Sequence, residues 1–196
     1  MGKILAICLS EAKGHRKQQV QQAHLLADHG LEGDAHAGSW HRQISLLAAD
    51  DIRAMRERGM PSLSHGDFAE NLVIDGLDLG GLGLGSRLRL GPSALVSITQ
   101  RGKVCHARCA IFRQVGDCIM PTRGLFARVI DGGTIRVGDT AELVLPISGN
   151  ALQAAVLTIS DRCSRGEATD ITRAESALAR AANRLRVARH VGAASN

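Results

Sequence analysis

RLRLGPSALVSIT, residues 87–99, reads as two short runs, Arg87–Leu90 and Ala94–Thr99, parted by Gly-Pro-Ser. Glycine and proline at that spacing break the chain into strand, turn and strand, because neither residue supports the interior of a regular element. The same grammar extends outward in both directions. Lys3–Leu9 reads as a buried first strand, and Gln18–Leu26 as an extended segment leading into a turn at His29-Gly30. Ile44–Leu47, Asn71–Ile74 and Thr140–Leu145 are further short apolar runs, each bounded by Gly, Pro or Asp. One helix is expected, from roughly Ala48 to Arg58, with Asp50 and Asp51 in its first turn and Gly59-Met60-Pro61 as its stop. A further helical turn is possible at Cys109–Gln114. The pattern predicts a mostly β domain, a closed or nearly closed barrel with one or two short helices.

Composition narrows the function classes. The chain has 196 residues, 22 of them Gly, no Tyr, and only 2% aromatics. Leu, Ile, Val and Ala must therefore fill the core. The net charge of +5 is uneven, because residues from Ala151 onward carry seven Arg against four acids. A basic tail with almost no aromatic side chains is a poor nucleic-acid surface, since there is little to stack on bases. Scattered Arg in the main domain suits a small anion better. No run of eighteen apolar residues predicts a membrane helix, and the N-terminus lacks the layout of a signal peptide. Five cysteines, an odd number, do not suggest a secreted disulfide framework, so a cytoplasmic location is expected.

Leu77–Gly85, LDLGGLGLG, has four Gly in nine residues but neither a following Lys-Ser/Thr nor the spacing G-x-G-x-x-G. It reads as a turn that packs its Leu side chains inward. The expected domain spans residues 1–145, and Pro146–Asn150, PISGN, reads as a linker. Residues 151–196 offer one apolar strand-like run and an Ala/Arg-rich helix over 172–189. That is too little to bury a core alone, so this part reads as an incomplete α/β segment.

Chemistry points first to TQRGKVCHARCAIFRQVGDCIMP, residues 99–121, which holds Cys105, Cys109 and Cys118. Thiolates are soft ligands and strong nucleophiles, and Arg101, Lys103 and His106 nearby favour the thiolate of Cys105. Cys109 and Cys118 could resolve a bond on Cys105, or join it and His106 in a structural metal site. The C-H-x-x-C spacing is not that of a zinc finger, and adjacent Cys105 and His106 would reach one tetrahedral ion poorly. Cys8 and Cys163 are expected to have no chemistry. Asp34 and His36 lie in a Gly-rich turn; an H-x4-H pair with His41 would need a helix, which Gly38 opposes.

Taken together, several stretches resemble the MOSC family, named for the molybdenum-cofactor sulfurase C-terminal domain. They are GLEGDAHAG at 30–38, RQISLL at 42–47, GDFAENL at 66–72, GLDL at 76–79, LGSRLRLG at 84–91, TQRGKVC at 99–105 and GLFARVIDGGTIRVGD at 124–139. The resemblance implies a MOSC-type β-barrel and involvement with the molybdenum cofactor, molybdopterin. It implies sulfur relay through a persulfide on Cys105, which is also the residue that would ligate molybdenum if the cofactor binds. Alternatives are a cofactor-dependent reductase of N-hydroxylated compounds, or a non-catalytic molybdopterin carrier. Gly33, Asp34, His36, Ser45 and Asn71 would border the cofactor pocket, with Glu70 beside Asn71. Arg101 and Arg128 would pair with the cofactor's phosphate. No pyridoxal phosphate module is visible, so a separate cysteine desulfurase would be the sulfur donor, with cofactor biosynthesis or acceptor proteins downstream. AAVLTISDRCSRGE, at 154–167, resembles the opening of Mog-type molybdopterin-binding proteins, but the continuation departs from that pattern. A truncated or frameshifted remnant is expected there.

Overall fold

A computed structural model of the chain describes residues 1–103, 112, 116 and 118–147. All of them belong to the first of two units, Met1–Gly149 and Asn150–Asn196. Of the expected helical turn at Cys109–Gln114 only Phe112 is described, and the Mog-like segment lies outside the described residues.

Eleven strands and two helices follow in order among the described residues. They are β1 (Gly2–Leu9), β2 (Gln18–Val20), β3 (Gln22–Leu26), β4 (Gly30–Leu31), β5 (Ile44–Ala48), α1 (Ala49–Glu57), β6 (Leu72–Asp75), β7 (Arg87–Leu90) and β8 (Ala94–Arg101). α2 (Met120–Arg123), β9 (Leu125–Asp131), β10 (Gly133–Arg136) and β11 (Thr140–Leu145) complete the set. Strands pair in the order β11-β7-β8-β9-β5-β6-β1, and β11 pairs back onto β1, so seven strands close into a barrel. β2 extends the sheet beyond β1, and β10-β3-β4 form a separate small sheet. Among the described strands only β5 and β6 pair in parallel, and α1 lies in the crossover between them.

Residues 87–99 form the expected hairpin: Leu88 faces Val96 and Leu90 faces Ala94. The segment read as one extended run, Gln18–Leu26, is instead two strands that serve different sheets. β9 and β10 were not read as strands at all. The Gly/Leu stretch is a turn with Leu79 and Leu82 buried, and Arg101 ties it down by donating to the Gly80 and Leu82 carbonyls. Ile147, within the expected linker, accepts a hydrogen bond from Gly83 N at 2.7 Å.

Side chains alternate across each strand, so the barrel wall has two faces. Ile4, Leu46, Leu72, Ile74, Val96 and Ala127 point into the barrel. Ala6, Cys8, Leu47, Val73 and Phe126 point outward and are covered by Ile52 and Met55 of α1, Phe68 and Met120. Ser45 stands opposite Phe126 and two residues before Leu47, so it belongs to the outward face. The candidate site is built there, beside the α1 layer.

Candidate functional site

Local backbone chemistry positions the first group. The loop after β1 brings Lys17 against the loop 62–71, where its N–H donates to Gly66 O at 3.0 Å. Gly66 has φ +95°, and a Cβ there would sit 2.2 Å from Lys17 O, so this approach requires glycine. The Lys17 side chain is thereby driven inside, where its ammonium pairs with Asp34; their side chains are only 1% and 0% exposed. Asp34 Oδ1 also accepts Ser10 N at 3.1 Å, and Oδ2 accepts His36 N at 3.3 Å. Burial alone would raise the Asp34 carboxyl, but Lys17 and the Ser10 N–H outweigh it and hold the carboxyl below its usual value. Burial and the neighbouring Lys17 charge lower His36, whose Nδ1 lies 3.4 Å from Lys17 Nζ. His36 is thus kept neutral at physiological pH.

A second knot holds β5 to β6. Asn71 Oδ1 accepts Ser45 N at 3.1 Å and stands 3.0 Å from Ser45 Oγ. Asn71 N donates to Ser45 Oγ at 3.1 Å, and Asn71 Nδ2 donates to Cys8 O at 3.2 Å. Just before it, Ala69 adopts φ +60°, a left-handed conformation that costs a non-glycine residue about 1 kcal/mol or more. Glu70 is fully buried, with Oε1 accepting Gly66 N at 2.6 Å and Oε2 accepting Phe68 N at 3.1 Å. Burial, against these N–H groups, pushes its carboxyl up to about 7. Burial and Glu70 push the Cys8 thiol up to about 12, so Cys8 is an inert core thiol.

Between the two knots lies a cavity of about 220 Å³, lined by His36, Trp40, Arg42, Ser45, Phe68, Ala69, Asn71, Lys103, Met120 and Phe126. The Arg42 guanidinium lies 4.7 Å from the Trp40 ring centre and 5.7 Å from that of Phe126. Arg42 Nε is buried and has no hydrogen-bond partner among the described residues. Neither Arg42 nor Lys103 forms an ion pair with a described residue, and no carboxylate of the described residues lines the cavity. A buried donor left unmatched costs about 1–3 kcal/mol, which an anion in the cavity would recover. The arrangement is an anion site with aromatic walls.

The structure brings His36, Ser45 and Asn71 into this cavity and sets Asp34 behind it. Gly33, at φ +79°, lines a neighbouring cavity with Ser10 and Arg16. Arg101 is spent on the Gly80 and Leu82 carbonyls, away from the anion cavity. Arg128 forks onto Asp28, Nη2 to Oδ2 at 2.7 Å, in a third groove. His41 bonds Gln100 at 2.9 Å and makes no pair with His36. Cys105, His106 and Cys109 lie outside the described residues; Cys118 is half-buried. Sequence reading missed Lys17, Trp40, Arg42 and Phe126. Arg42 opens the RQISLL stretch, and its place beside an apolar strand was the available signal.

Comparison with known proteins agrees with this architecture. A family model described as MOSC domain matches residues 33–142. A search of curated protein sequences finds no match. Among solved structures, the chain is similar to the YuaD protein from Bacillus subtilis at 20% identity and TM-score 0.60, over 71% of this chain and 93% of that one. YiiM from Escherichia coli is similar at 20% identity and TM-score 0.55, over 76% and 72%. YiiM from Geobacillus stearothermophilus is similar at 21% identity and TM-score 0.56, over 74% and 75%. At such identities the structural likeness speaks of fold alone. The family match covers more than half of the chain, and together with the closed barrel it means that this protein belongs to the MOSC domain family.

Proposed function

We propose that the cavity under Trp40 binds an anionic end of the molybdenum cofactor, and that Cys105 relays sulfur beside it. The observation that carries this reading is the buried Nε of Arg42, unpartnered among the described residues, in a cavity that Lys103 lines and no described carboxylate does. That donor set fits a cofactor bearing oxyanion groups. Arg42 offers a planar fork, Lys103 a mobile point charge, and neutral His36 a further hydrogen-bonding nitrogen. Bound there, the cofactor would supply a molybdenum centre with affinity for soft sulfur ligands.

The chain's own part is nucleophilic. Cys105 follows Lys103 by two residues and precedes His106, so its sequence neighbourhood is basic. Positive charge favours the thiolate. The Cys105 thiolate attacks the terminal sulfur of a persulfide on a cysteine desulfurase. A new S–S bond forms on Cys105, the donor's S–S bond breaks, and the donor cysteine leaves as thiolate, with no net oxidation. Attack on the Cys105 persulfide by an acceptor thiolate then returns Cys105 to its starting state. Trp40, Phe68 and Phe126 keep the neighbouring anion site apolar-walled.

The test is loading by a purified cysteine desulfurase with free cysteine, followed by peptide mass spectrometry. The expected product is one added sulfur on the Cys105 peptide, removed by reductant and absent in Cys105→Ala. Loading of Cys109 or Cys118 alone, or of no cysteine, would contradict the relay.

A further inference from the structure

Lys17 lies buried behind the anion cavity, and His36 links it to the opening. Lys17 Nζ pairs with Asp34 Oδ1 and stands 3.4 Å from His36 Nδ1. An ammonium donates and never accepts, so His36 Nδ1 supplies the lone pair in this contact. The competing arrangement, Nδ1–H donating to the Asp34 carboxylate, is not made. Nδ1 lies 3.8 Å from Asp34 Oδ2, which accepts His36 N instead, at 3.3 Å. In a neutral imidazole one nitrogen accepts only when the other carries the proton, so the hydrogen sits on Nε2.

The rest of His36 is fixed as well. Its N–H is on Asp34 and its carbonyl accepts Trp40 Nε1 at 3.0 Å. Nε2 is left as its one polar atom without a partner among the described residues. Burial, Lys17, Lys13 and Lys103 disfavour a second proton on the ring, against Asp34 alone.

What the cavity offers is therefore one-sided. Arg42, Lys103 and His36 Nε2 are all donors. The side-chain oxygens in the wall, Ser45 Oγ and Asn71 Oδ1, are committed to each other and to backbone groups. Phe68, Met120 and Phe126 supply apolar wall. An oxygen that carries a proton finds no acceptor there, whereas bare oxygens are met by donors.

We infer that Lys17 is a positioning residue: it holds His36 as an Nε2–H donor and so makes the cavity select the bare oxygens of a fully ionised oxyanion over an oxyanion that keeps a hydroxyl. This rests on the reading of the cavity as an anion site and adds which anions it admits. Lys17 acts only through His36, since its own side chain is buried.

Two readings on the full-length chain test it. Long-range proton–nitrogen NMR spectra of the imidazoles, with His36 assigned by its loss in His36→Gln, are expected to show a bare Nδ1 and a protonated Nε2 at pH 8. Nδ1–H, or an average of the two tautomers, would overturn the inference and leave the anion cavity standing. Sulfate and phosphate are then titrated at pH 8 and constant ionic strength, where phosphate is chiefly a dianion like sulfate but keeps a hydroxyl. The ring N–H signals of His36 and of Trp40, the sole tryptophan, are the readout. Sulfate is expected to bind at least about fivefold tighter, the lower end of the penalty for an unmet buried donor. Equal affinities, or tighter phosphate, would overturn the selectivity, and no shift with either anion would overturn the anion cavity as well. Lys17→Met with Asp34→Leu, checked for folding by a thermal melt, is expected to release His36 into a tautomer mixture and to shrink the sulfate preference. A folded double variant that keeps the Nε2–H tautomer or the full preference would overturn the role of Lys17; the wild-type readings decide the inference whether or not that variant folds.

Discussion

Glu70 makes stability depend on pH, with a sign that follows from its burial. Its carboxyl is fully buried, faces two backbone N–H groups, and titrates at about 7 in the fold against 4.5 as the ordinary value. A raised folded value means that the folded state holds the proton more tightly than the unfolded chain. The contribution is fully present below pH 4.5 and is lost as pH rises toward and through 7. The difference corresponds to about 3 kcal/mol in all, of which about 2–3 kcal/mol falls between pH 5 and 8.5. Glu70→Gln removes this titration but also replaces one acceptor oxygen with a donor NH2, at a cost of about 1–2 kcal/mol. The variant should therefore be the less stable protein at pH 5 and draw level with or overtake the wild type by pH 8.5. Urea denaturation of both proteins at matched pH isolates the effect, because all other carboxylates cancel in the difference. A difference that is flat from pH 5 to 8.5 would refute the reasoning.

Three further predictions concern the same core. Lys17→Met leaves Asp34 buried and uncompensated and should cost about 3–5 kcal/mol, whereas Lys17→Met with Asp34→Leu should recover part of it; additive losses in urea denaturation would contradict the buried pair. Ala69→Val forces a β-branched residue to φ +60° and should lose about 1–3 kcal/mol, while Ala69→Gly should stay within about 1 kcal/mol of the wild type; equal losses would argue against strain at this position. Cys8 should resist a thiol reagent at pH 8 until the protein is unfolded, and mass mapping that finds it labelled natively would contradict its burial.

The hairpin Arg87–Ser97 was legible because Gly-Pro-Ser punctuates it and both arms alternate, the first between exposed and buried positions and the second between buried and half-buried ones. β9 was not. Its run sets Arg128 between buried Ala127 and Val129 and ends on Asp131, and its strand character shows only through pairing with β5 and β8. Gln21 breaks the 18–26 run because the two halves answer to different partners, a long-range fact that no local window holds. In the site, the Gly-Asp-x-His turn and the Ser45 and Asn71 positions could be nominated from the sequence. Lys17 could not, since Lys13, Arg16 and Lys17 look alike until Gly66 draws one of them inside. Arg101 and Arg128 show the converse: a guanidinium attracts the same attention in a sequence whether it faces a ligand or, as here, a carbonyl or Asp28. Charge that is uncommitted, as at Arg42, is visible only in three dimensions.

Cofactor retention tests the central claim most directly. The full chain, expressed in a molybdenum-replete host, is purified without chelators and assayed for molybdenum and for pterin by its oxidised fluorescent derivatives, beside Arg42→Ala and Cys105→Ala. The account predicts near-stoichiometric pterin on the wild type, sharply reduced in Arg42→Ala, with Cys105→Ala keeping pterin but losing the persulfide. A wild-type protein that carries neither pterin nor molybdenum, or that keeps both undiminished in Arg42→Ala, would contradict it.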